Sequence, residues 1–221
     1  AVRPPIGETH VIKQILDLGC QTLIVPMVES GDQAEMLVRA MRYPPHGIRG
    51  VGGAGARATG FSAHADYLTT ANDEMCLVVQ IETKAGLDAL DDILTVDGVD
   101  AVFIGPSDLS ANRGHIGNVG APEVVTAVAT ALDKIADSKI DLTIDAMTPD
   151  AGDVLLKYVY KGLETPSDRT PSLLKWQAKL ADVPPESVGA QVAVLPVGDA
   201  VLALDCCALD PNAADCAGHR P

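Results

Sequence analysis

Two apolar stretches of this sequence run straight into a carboxylate. Gln80-Ile81-Glu82 closes one, and Ile104-Gly105-Pro106-Ser107-Asp108 closes the next. Two carboxylates brought together without Cys or His suit a hard divalent cation with oxygen ligands and open positions for water and substrate. The same residues could equally cap the helices that follow them, since acidic side chains are favoured at helix N-termini. Spacing alone leaves both readings open. Gly105 would let a ligand approach the backbone, and the N–H groups of Ser107 and Asp108 at a helix start would face an anion. Arg3 follows an apparent strand end and would add a cation able to hold an oxyanion bidentately. A surface arginine beside a frayed terminus would look the same.

The elements that must position these groups alternate between helical and strand periods from residue 8 to about 138. Residues 8–18 place Val11, Ile12, Ile15, Leu16 and Leu18 on one helical face, with Gly19 as a natural C′ residue. Residues 22–26 (TLIVP), 76–81 (CLVVQI) and 101–104 (AVFI) are short continuous apolar runs, as buried parallel strands show. Helical patterns cover 32–41, 84–94 and 122–136, and 43–60 is a loop rich in Gly and Pro. Short connections between alternating strands and helices predict βα units and a parallel sheet. Glu82 and Asp108 are 26 residues apart, about one βα repeat, which predicts neighbouring strands. Functional groups in such folds gather where strands run into βα loops, and this placement favours a (β/α)8 TIM barrel over a doubly wound sheet.

Composition narrows the function classes. The net charge of −14 argues against a nucleic-acid or anionic-membrane partner, either of which needs clustered Lys and Arg. No apolar run approaches the roughly 20 residues of a spanning helix, and no signal peptide is visible at the start. Five irregularly spaced cysteines match neither a disulfide framework nor a zinc site, so a reducing cytoplasm is expected. The chain opens Ala1-Val2-Arg3-Pro4-Pro5, as though at the end of a strand, which reads as truncation.

The last third differs in kind. All twelve isoleucines lie between Ile6 and Ile144, no Phe follows Phe103, and no aromatic follows Trp176. Residues 159–188 read as an irregular insertion, and 189–204 (GAQVAVLPVGDAVLAL) as a strand followed by a helix start. The expected division is a barrel portion over 1–204, most regular over 1–138, and a tail over 205–221 that is disordered or outside the native reading frame.

Several other features carry no chemistry on this reading. Gly50-Val51-Gly52-Gly53-Ala54-Gly55 matches G-x-G-x-x-G formally but follows a loop rather than a strand. His10, His46, His64 and His115 lack metal-ligand spacing to one another, and Cys206-Cys207 is too strained for an ordinary disulfide.

The blocks Val2-Arg3-Pro4, 12–28 (IKQILDLGCQTLIVPMV), 42–52 (RYPPHGIRGVG), 66–83 (DYLTTANDEMCLVVQIET) and 96–111 (VDGVDAVFIGPSDLSA) resemble the pyruvate-dependent class II aldolases of the HpcH/HpaI family. The likeness is nearly continuous over 1–138 and patchy beyond. It implies a (β/α)8 barrel assembled into homo-oligomers, typically hexamers, and a divalent cofactor (Mg2+, Mn2+ or Co2+). Glu82 and Asp108 match the metal-ligating carboxylates, and Gln80 and the backbone at Ser107 the pyruvate-binding positions. Arg3 matches the arginine that stabilises the enolate. Asp17 matches the aspartate that tunes the catalytic histidine across a subunit interface.

The reaction implied is reversible aldol cleavage of a 4-hydroxy-2-oxo acid into pyruvate and an aldehyde. The family's base is a histidine in an Asp-x-Glu-His motif upstream of the position of Arg3, and no such motif occurs in these 221 residues. The first two βα units are therefore expected to be missing. Two alternatives accompany the aldolase reading: a catalytically inactive remnant, and an acyl-CoA lyase resembling the citrate lyase β-subunit.

Overall fold

The computed structural model describes residues 1–134, 159–160, 163, 170–180, 192–197 and 200–205, the last two stretches as backbone. The strands are β1 (Thr22–Val25), β2 (Cys76–Ile81), β3 (Ala101–Ile104), β4 (Val192–Val197) and β5 (Ala200–Asp205), in sheet order β1-β2-β3-β5-β4. β1, β2, β3 and β5 run parallel, and β4 pairs antiparallel with β5. Val2 adds a parallel bridge to Leu23, so Arg3 does leave a strand-like segment.

Residues buried on both faces make β2 and β3. β3 is buried throughout, and Leu77, Val79, Gln80 and Ile81 are buried in β2. Continuous apolar runs can satisfy a sheet only when helices cover it, and these helices do so with i, i+3 and i+4 stripes. α1 (Thr9–Asp17) buries Ile12 and Leu16, and α2 (Gly31–Met41) buries Ala34, Leu37, Val38 and Met41. α7 (Pro122–Leu132) buries Val124, Val125, Val128 and Leu132. With Leu23, Val25, Ile93 and Ile104 these side chains, Val124 aside, form one core. Gly19 ends α1 as expected, with φ of 97° and its N–H on the Leu16 carbonyl at 2.9 Å.

The loop after α2 contains α3 (Tyr67–Thr70) and short 3-10 turns at Gly53–Gly55, Arg57–Thr59 and Ala71–Glu74. Three expectations change. The single helix over 84–94 is two, α4 (Lys84–Asp88) and α5 (Leu90–Leu94), because Ala89 leaves helical geometry at ψ of 7°. That break turns Leu90 and Ile93 into the core while Leu87 stays partly buried. Within the expected irregular insertion, α8 (Thr170–Leu180) is helical and buries Leu173, Trp176 and Leu180, which follow the three-to-four spacing of one helical face. The segment expected to be a strand and a helix start is the β4–β5 hairpin, since Val197 and Ala200 pair across a two-residue connection. The tail over 205–221 lies, beyond Asp205, outside the described residues.

Among the described residues, no helix is long and apolar enough to cross a membrane.

Candidate active site

The register of β2 and β3 brings the candidate residues together. Ile81 pairs with Ile104, and the Gly105 N–H reaches the Ile81 carbonyl at 3.1 Å. Glu82 and Gly105 are thus the first residues past two adjacent parallel strands. A Cβ at residue 105 would lie 2.8 Å from Glu82 Cγ and 3.1 Å from Oε2. The lack of a side chain there, expected to admit a ligand, first admits the Glu82 carboxyl. α6 (Pro106–Asn112) starts next, with Ser107 and Asp108 exposed in its first turn.

Glu82 is buried, with its side chain 2% exposed. Burial pushes its carboxyl up to about 7, helped by a hydrogen bond with Asp108 and by the Asp108 charge; the Met27 N–H and Arg3 pull the other way. A buried carboxyl beside a second negative charge takes up its proton more readily than one in water. The Met27 N–H donates to Glu82 Oε1 at 3.3 Å, and Arg3 Nη2 stands 3.9 Å from the same oxygen. Arg3 Nε donates to Gln80 Oε1 at 2.6 Å. The structure therefore gathers Arg3, Gln80, Glu82, Gly105 and Asp108 at one end of the sheet, with Ser107 beside them on α6.

Asp17 belongs to a different cluster. It sits in the last turn of α1, where its Oδ1 accepts from Arg49 Nη2 at 2.9 Å and its Oδ2 from Lys13 Nζ. Burial alone would raise its carboxyl, but hydrogen bonds from Lys13 and Arg49 outweigh this and hold it below the usual carboxylate range. Arg49 is wholly buried, 4.4 Å above the Tyr43 ring and 3.3 Å from the Tyr67 hydroxyl. No described hydrogen bond or ion pair joins Asp17 to Arg3, Gln80, Glu82 or Asp108.

Met27 and Arg49 were missed in the sequence. Met27 acts through its main chain, which no residue type announces. Arg49 lies in the loop between α2 and α3 and meets Asp17 only through the fold. Among the described histidines, His10, His46 and His64 are exposed and His115 pairs with Glu123 at 3.2 Å; none bonds to the Arg3–Glu82 group.

The donor set fits a hard cation. Glu82 and Asp108 offer adjacent carboxylates, and among the described residues no His or Cys bonds to this group. Among the described residues, no group of three or more His, Cys, Asp and Glu side chains could hold a metal ion.

Comparison with known proteins gives a consistent likeness. The family model described as HpcH/HpaI aldolase/citrate lyase matches residues 1–157. A second, that of the ARP2/3 complex 16 kDa subunit, matches 121–195, less than half of the chain. A hydroxypyruvate/pyruvate aldolase of Roseovarius nubinhibens is 60% identical over 134 residues, covering 61% of this chain and 52% of that protein. A 2-keto-3-deoxy-L-rhamnonate aldolase of Escherichia coli is 44% identical over 168 residues, covering 74% and 63%. A solved HpcH/HpaI aldolase/citrate lyase family protein from Burkholderia cenocepacia superposes with a TM-score of 0.58 at 42% identity, covering 60% of this chain and 52% of that one. The chain spans about half the length of the curated relatives it matches.

Proposed function

Because the chain belongs to the HpcH/HpaI aldolase/citrate lyase family, we propose that it is part of a metal-assisted (β/α)8 aldolase that reversibly cleaves a 4-hydroxy-2-oxo acid. The products are an aldehyde and pyruvate or hydroxypyruvate, the two donors in the names of its similar relatives. The supporting observation is the buried Glu82 carboxyl, bonded to Asp108 on one side and flanked by Arg3 on the other. A buried carboxyl pushed upward by burial and by a neighbouring negative charge is an arrangement that a divalent cation would relieve.

Glu82 and Asp108 would hold that cation, whether Mg2+, Mn2+ or Co2+. When bound, it would act as a Lewis acid on the 2-oxo acid. Arg3 would meet the negative charge that develops as the carbon–carbon bond breaks. Its Nε is tied to Gln80, so the guanidinium keeps a fixed orientation with terminal N–H groups available to an oxyanion. Gln80 spends its carbonyl on Arg3 and keeps its amide N–H groups as donors for the oxo acid. The first-turn N–H groups of Ser107 and Asp108 have no partner within α6 and would receive the substrate carboxylate, with Gly105 keeping the approach open. A general base must take the 4-hydroxyl proton. Asp17, fixed by Lys13 and Arg49, would orient that base from a neighbouring copy in a homo-oligomer. The reading places the enzyme in the cytoplasm, with small-molecule partners and neither nucleic acid nor membrane.

The test follows pyruvate release from 4-hydroxy-2-oxo acids by the full-length protein, coupled to lactate dehydrogenase. Release should stop with a chelator and with Glu82→Ala; activity surviving both would overturn the metal reading. Malyl-CoA and citramalyl-CoA assayed in parallel separate the acyl-CoA lyase alternative. Turnover by the 221-residue chain alone would exclude an inactive remnant.

A further inference from the structure

Met27 is in the left-handed region with φ of 55°, a conformation that side-chain-bearing residues rarely adopt. Such backbone persists only where its surroundings over-determine it, and here they do. Gln33 Oε1 accepts from the Glu29 N–H at 2.9 Å, its Nε2 reaches the Met27 carbonyl at 3.5 Å, and its own N–H is capped by Ser30 Oγ at 3.1 Å. From the other side, the Val28 N–H donates to the Gln80 carbonyl at 3.0 Å and Thr83 Oγ1 donates to Glu29 Oε1 at 2.7 Å. The turn after β1 is bolted to the turn after β2.

What this arrangement produces is one N–H aimed at one oxygen. Met27 donates to Glu82 Oε1, the oxygen that Arg3 also faces, while Oε2 lies against Gly105 at the start of the helix carrying Asp108. Met27 is 43% exposed, so burial does not explain the conformation. We propose that Met27 is a positioning residue: its left-handed main chain occupies Glu82 Oε1 and thereby leaves Oε2, which lies against Gly105, free for the cation. Gln33 positions Met27 in turn. The inference rests on the metal reading above and deepens it.

The test is a calorimetric titration of the full chain with Mn2+. Glycine adopts positive φ freely, whereas valine resists it. Met27→Gly should therefore bind Mn2+ within about twofold of the parent, and Met27→Val should bind about tenfold more weakly, the range typical of residues supporting a metal ligand. Gln33→Ala, on an exposed side chain, should also weaken binding several-fold, and carries the test if Met27→Val fails to fold. Equal affinities for the Gly and Val variants, or unchanged affinity in Gln33→Ala, would overturn the inference alone. Parent-like affinity in Glu82→Ala would overturn the metal reading and this inference with it.

Discussion

Arg3 and Gln80, 77 residues apart, meet in a 2.6 Å hydrogen bond from Nε to Oε1. The bond fixes the orientation of the guanidinium plane beside the Glu82 carboxyl. Lysine cannot reproduce a planar fork held at one corner. Arg3→Lys should lower kcat in the full-length enzyme by on the order of 10²-fold, a typical loss for one electrostatic donor. Gln80→Ala should raise KM, because a substrate donor disappears, and also lower kcat, because the guanidinium loses its tether. Steady-state kinetics of the two variants would check both effects.

Glu82 makes the site pH-sensitive. Its carboxyl titrates at about 7 in the fold, against about 4.3 in an unfolded chain. A raised carboxyl favours the folded state most at low pH, and that contribution is lost as pH rises from about 4 through 7. The metal-free protein should therefore melt progressively lower between pH 5 and 8 relative to Glu82→Gln, which lacks this titration. Mn2+ displaces the proton, so its affinity should rise with pH up to about 7 and then level off. Differential scanning calorimetry and Mn2+ titrations at pH 6, 7 and 8 measure both effects.

Gly105→Ala would push a methyl group to 2.8 Å from Glu82 Cγ. The methyl group would meet the side chain of buried Glu82, so we expect about 1–3 kcal/mol of destabilisation, as for other overpacked sites. Displacement of the carboxyl should also weaken Mn2+ binding about tenfold, the usual cost of disturbing a ligand's support. Urea unfolding and calorimetry report the two losses separately.

Asp17 gives the opposite pH signature. Its carboxyl is held below the usual range, so the stability it contributes is complete above about pH 4 and disappears as pH falls through its lowered value. The difference in stability between the parent and Asp17→Asn should be constant at neutral pH and close below about pH 4. Arg49→Met should cost about 2–3 kcal/mol at neutral pH, since it strips a half-buried carboxylate of its buried partner. Acid and urea titrations of the three proteins would show it.

Much of this was legible in the sequence for a physical reason. Buried parallel strands cannot alternate, so TLIV, CLVVQI and AVFI stood out, and the carboxylates at 82 and 108 fell at their ends. Arg3 was legible because Val2 reads as strand. What was not legible passes through the backbone or across distant chain. The Met27 N–H has no side-chain signature, the Ala89 break follows from no breaker residue, and Arg49 finds Asp17 only after 32 residues of intervening fold. Gly105 was legible as a place of close approach, and the neighbour it admits in the fold is the Glu82 side chain. The β4–β5 hairpin shows strand propensity in VAVLPV and AVLALD that was credited to one strand only.

Val2 joins the sheet through two described backbone hydrogen bonds, its N–H to the Thr22 carbonyl and its carbonyl to the Ile24 N–H, both at 2.9 Å. The cation at residue 3 hangs from that short clasp. Deuterium uptake at the Ile24 amide would time its release, and any ligand that grips the guanidinium should slow that uptake through the Val2 bonds. Occupancy of the site and fraying of the sheet margin would then be one equilibrium seen from two ends.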